Sequence, residues 1–70
     1  MTEMEKDFAN ILKDMGLTME ENLAIVFNMR KAKNPKKFVK MFFDHIKTID
    51  LKDLKGKELI LFAQKIAKEC

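Results

Sequence analysis

The sequence predicts an all-α fold, a small bundle of three main helices plus a short helical turn before the last helix. Two capping boxes, apolar residues recurring at helical spacing, and the absence of any alternating β pattern point to it. The 70 residues fit one helical domain, 1–70, around a single core. A core of that size rarely supplies more than roughly 3–5 kcal/mol without a staple or a partner.

Thr2-Glu3-Met4-Glu5 opens the first helix, with threonine oxygen and Glu5 carboxylate satisfying each other's orphan amides. Met4, Phe8, Ile11, Leu12 and Met15 form its apolar stripe, and Gly16 offers the left-handed conformation that ends it. A second box, Thr18-Met19-Glu20-Glu21, starts the next helix almost at once, so the two helices turn sharply and stay in contact.

The second helix, Met19 to Lys33, has two apolar faces. Met19, Leu23, Val26 and Phe27 share one, and Ile25, Met29 and Ala32 fall opposite. Such a helix is either central or meets another chain with its spare face. Asn34 as N-cap and Pro35 at the first helical position start the third helix, which runs to Lys47 or Thr48. Its apolar arc, from Phe38 and Val39 through Met41, Phe42, Phe43, His45 and Ile46 to Ile49, covers roughly 200° of the circumference. Asp50 reads as a cap for a short turn at 51–54, and a phase break beside Gly56 separates that turn from the last helix, 57–69, with its stripe Leu59, Phe62, Ala63, Ile66, Ala67 and Cys70. Phe8, Leu12, Leu23, Phe27, Phe38, Phe42, Leu59, Phe62 and Ile66 are the expected shared core.

Charge is divided unevenly. Residues 1–22 hold six acids against two lysines, net −4, whereas residues 23–70 hold twelve cations against five acids, net +7. Six cations fall within the eleven residues Arg30 to Lys40, around the Asn34-Pro35 helix start. Lys36 and Lys37 sit where helix electrostatics disfavours cations, so Arg30, Lys31, Lys33, Lys36, Lys37, Lys40 and Lys47 are the candidate contacts for an anion or nucleic acid. Lys36, Lys40 and Lys47 cluster within about 40° of the third helix. Thirteen lysines against one arginine argue against dedicated readout of phosphates or bases, because arginine supplies the bidentate fork.

The residue inventory argues against an enzyme. There is no serine, tyrosine or tryptophan and one histidine, so a nucleophile or base held by an orienting group is missing, and no small-molecule substrate, cofactor or metal site is inferred. His45 reads as a boundary residue bonding locally, and Asp44 lies about 100° round the helix from it. Asp50 and Asp53 read as caps ahead of metal ligands. Cys70, the only cysteine, falls on an apolar phase, and the sequence carries no disulfide framework. With no apolar run near the ~20 residues of a membrane span, stable membrane insertion is not expected, and a reducing cytoplasm is the expected compartment.

The sequence therefore favours a non-enzymatic protein-interaction module, with a protein partner or a homodimer using Ile25, Met29, Val39, Phe43 and Leu61. The alternative is a nucleic-acid-binding regulator using the basic junction between the second and third helices. Glu20 and Glu21 at the leading end of the second helix oppose its entry into DNA, which makes the third helix the better candidate.

Overall fold

Both capping boxes close. Thr2 Oγ1 accepts from the Glu5 amide at 3.2 Å while a Glu5 carboxylate oxygen accepts from the Thr2 amide at 2.8 Å, and Thr18 and Glu21 repeat the exchange at the same distances. In the computed structural model, which describes residues 1–70, these boxes open helices α1 (Glu3–Asp14) and α2 (Met19–Lys31). Gly16, at φ +91°, makes the turn between them, a conformation that any side chain would strain. Asn34 caps α3 (Pro35–Ile46) by accepting from the Lys37 amide at 3.2 Å.

A 3₁₀ turn at Leu51–Asp53 follows, then α4 (Gly56–Glu69). The all-helical fold class holds; the bundle has four full helices, one more than the three main helices expected, and the last of them, 14 residues long, begins at Gly56, one residue before the 57–69 read from the sequence. Asp50 does not cap that turn with its side chain; its carboxylate lies 3.8 Å from Lys52 Nζ instead. No helix is long and apolar enough to cross a membrane.

Lys55 gives α4 no side-chain cap. The start of the helix is instead overhung by the Glu21 carboxylate, which lies so near Gly56 that a Cβ there would overlap it. A carboxylate at a helix N-terminus is electrostatically favourable, and glycine is the residue that lets it approach.

Rings from three helices build the core. Phe8 of α1 meets Phe38, Phe42 and Phe43 of α3 edge-on, at centroid distances of 6.2, 5.4 and 5.4 Å. Phe62 of α4 adds a tilted contact with Phe42 at 6.3 Å and stacks on His45 at 3.9 Å. His45 is thus held by a ring, where the sequence suggested a local side-chain hydrogen bond. The broad apolar arc of α3 is used inside the molecule, with Phe38 and Phe42 fully buried and its other apolar residues half-buried.

α2 contributes slimmer side chains. Ile25, Val26, Met29 and the following Ala32 are buried together with Leu12, Leu59, Ala63, Ile66 and Cys70. Leu23 and Phe27, expected in the core, are not there: they are 52% and 61% exposed. Of the remaining expected core residues, Phe8, Leu12, Phe38, Phe42, Leu59 and Ile66 are buried and Phe62 is half-buried.

Phe42→Ala removes a ring that touches four others, and it is expected to cost about 3–5 kcal/mol in denaturant melts, comparable to the whole stability of a domain this small. Phe27→Ala should move the same melt by less than about 0.5 kcal/mol. A second measurement tests the approach of Glu21 to α4. Gly56→Ala adds helix propensity but collides with the Glu21 carboxylate, which the capping box of α2 holds in place, two effects of opposite sign and of up to about 1 kcal/mol each. In a double-mutant cycle it should therefore be more favourable by about 1 kcal/mol in a Glu21→Ala background than in the wild type.

Candidate protein-interaction surface

The exposed face of α2 begins with Met19 and continues one turn at a time through Leu23 and Phe27. Met19 is 78% exposed, so three consecutive turns of the helix present a large apolar side chain to solvent. The spacing i, i+4, i+8 makes them one ridge. Glu20, Arg30 and Lys31 flank it, and all six residues lie within about 120° of the circumference at roughly 100° per residue.

Polar ties to α1 fix the rotation of α2 that leaves this ridge outside. Asn22 Nδ2 donates to the Ala9 carbonyl at 2.8 Å. Near the other end of α2, Arg30 Nε donates to the second carboxylate oxygen of Glu5, whose first is occupied in the capping box. Asn28, buried against the core, is satisfied by donating to the Ala24 carbonyl at 2.9 Å.

Between α2 and α4 the ridge falls into an open groove of about 620 Å³. Ala24 and Ala67 contribute small side chains to it, Phe27 and Ile60 apolar surface, and Lys31 and Lys68 the charges. Lys31 Nζ leans over the Phe27 ring, 5.7 Å from its centroid. A shallower hollow of about 340 Å³, lined by Leu23, Ala24, Phe27 and Arg30, opens on the ridge itself. Leu61, 64% exposed, points outward as expected and shares its face of α4 with Gln64 and Lys68.

The other expected interface residues lie elsewhere. Ile25 and Met29 are 0% and 1% exposed, so they form the core side of α2 and present no surface. Val39 and Phe43 are half-buried, and Phe43 packs edge-on against Phe8. Apolar residues occur on both sides of α2, so their spacing alone does not select the buried side. The charges do, since Glu20, Arg30 and Lys31 share the phase of Leu23 and Phe27.

The basic junction is dispersed by the fold. Arg30 is committed to Glu5, and Lys40 to Asp44 at 2.9 Å. Lys31 points toward the α2–α4 groove, while Lys33, Lys36, Lys37 and Lys47 are exposed and make no ion pair. Cys70 is buried, with Sγ 3.5 Å from Met41 Sδ, and its carbonyl accepts from the Asn34 amide at 2.6 Å. No known family, curated protein or solved structure matches the chain.

The Arg30 guanidinium, helped by the Thr2 amide, lowers the Glu5 pKa from 4.5 to about 2. The lowered folded-state value means that the ionised carboxylate stabilises the fold above pH 4.5 and that this contribution disappears as the pH falls from 4.5 to about 2. Thermal melts across that window should show the wild type losing stability more steeply than Glu5→Gln. Asp44, lowered by the Lys40 hydrogen bond, leaves a residual slope in both.

Proposed function

We propose that this protein is a small helical interaction module whose working surface is the exposed face of α2, extended by the groove against α4. The observation that carries the reading is the row Met19, Leu23 and Phe27, all more than half exposed, on a helix whose opposite side supplies Ile25 and Met29 to the core. Single exposed apolar residues are ordinary on protein surfaces, but an aligned ridge beside a groove is the pattern of a docking site. Burying these half-exposed side chains against a partner would contribute on the order of 1 kcal/mol each. After the cost of association, a gain of that size supports weak, reversible contacts rather than permanent assembly.

Helix-in-groove recognition suits the geometry. A partner helix offers apolar residues at i, i+3, i+4 and i+7 to a ridge and groove of this kind. The junction lysines give nucleic-acid binding less support, since the single arginine is engaged with Glu5 and Lys40 with Asp44.

A photo-crosslinking phenylalanine analogue at position 27, introduced in the native cell, is expected to yield discrete protein adducts. The same group at Lys52, an exposed site on the 3₁₀ turn, should not. Equal adducts from both positions, or none from position 27, would remove the α2 face as the working surface.

A further inference from the structure

We infer that the occupant of the α2 face is a second copy of this chain, its α2 packed antiparallel to the first about a twofold axis passing beside residue 25; this rests on the reading of α2 as an interaction surface. The order of residues along the ridge carries the argument. Glu20 stands before the apolar pair Leu23 and Phe27, and Lys31 stands after it. At roughly 100° per residue, Glu20 and Lys31 lie within about 20° of each other, on the edge of the ridge that faces α4.

In a twofold antiparallel helix pair, corresponding edges meet with their directions reversed. Leu23 then faces the partner's Phe27, and Glu20 faces the partner's Lys31. Symmetry makes each contact twice. A parallel pair about a twofold axis brings opposite edges together instead, so the edge that carries Glu20 and Lys31 would meet the partner's edge with Met19 and Arg30, and only the antiparallel arrangement sets Glu20 against Lys31. The helix dipoles favour it as well.

Neither charge has an ion-pair partner within the single chain; Lys31 only leans over the exposed Phe27 ring. The ion pairs are Arg30 with Glu5, Lys40 with Asp44 and Lys52 with Asp50. The capping box of α2 uses Glu21, leaving the carboxylate of Glu20 without a bond. The hollow lined by Leu23, Ala24, Phe27 and Arg30 adds a shape argument, because it opens beside Phe27, where an antiparallel partner places its own Leu23. A 13-residue helix is only about 20 Å long, so this face buries less than the ~800 Å² per partner of a standard stable interface. The dimer is therefore a weak one.

Sedimentation equilibrium of the full chain, from low to high micromolar, tests the assignment. The wild type should follow a monomer–dimer equilibrium. Phe27→Glu should be monomeric at every concentration with an unchanged helical circular-dichroism spectrum, since residue 27 lies outside the core. Glu20→Lys and Lys31→Glu should each weaken the dimer about tenfold or more, because each reversal places like charges together at both symmetric contacts. An equimolar mixture of those two variants should recover dimer, because the mixed pair restores opposite charges at both contacts.

A strictly monomeric wild type, a dimer indifferent to Phe27→Glu, or a mixture no tighter than its separate components would overturn the second copy as occupant. The adducts from position 27 then locate the failure. Adducts of a foreign protein with a monomeric wild type refute only the second copy, whereas no adducts and no dimer refute the interaction surface as well.

Discussion

The edge-on seat of Phe8 among Phe38, Phe42 and Phe43 is the contact around which the molecule is arranged. Edge-to-face rings gain from their quadrupoles beyond the area they bury, and here one side chain of α1 gathers three rings of α3. Phe62 approaches the same group from α4. With aromatic side chains from three helices filling that part of the interior, α2 completes the core with aliphatic residues and Met29. The exposure of Phe27 follows from this division of space, since the helix that carries it packs through its opposite side.

Rotation of α2 is settled by polar bonds as much as by packing. Turning the helix to bury Leu23 and Phe27 would carry Glu20, Arg30 and Lys31 inward with them, and ionised groups are costly to bury without partners. It would also bring Ile25 and Met29 into water. The observed rotation places Asn22 against Ala9 and lets Arg30 reach Glu5 across the α1–α2 contact. Glu5 consequently joins two levels of structure: one carboxylate oxygen begins α1, and the other fastens α1 to the last turn of α2.

What was legible in the sequence was local. The two capping boxes, Gly16, Asn34-Pro35 and the turn after Asp50 depend on neighbours within a few residues, and each marks a boundary close to where the structure has it. The end of α2 came two residues earlier than periodicity suggested, with Ala32 already extended ahead of the Asn34 cap. The side of α2 that faces inward was a different kind of question. Its apolar residues are distributed too evenly for spacing to answer it, and weighting the phase of the charged residues gives the correct orientation. The contact of Phe62 with His45 was beyond spacing altogether, since it depends on how α3 and α4 approach. The same holds for the groove, because a stripe on one helix says nothing of the small residues, such as Ala67, that a second helix brings beside it.

The hydrogen bond from the Asn34 amide to the Cys70 carbonyl has a bearing on motion. Asn34 already fixes the first turn of α3 through its side chain, so one residue pins both the beginning of α3 and the last residue after α4. Everything from residue 34 to residue 70 is thereby closed into a ring by a backbone bond. Terminal turns are ordinarily the first part of a helix to fray, but here release of the α4 end also removes the acceptor from the amide beside α3. Opening at the two places is thereby coupled, so fraying at the α4 end costs more than the bonds of its own last turn.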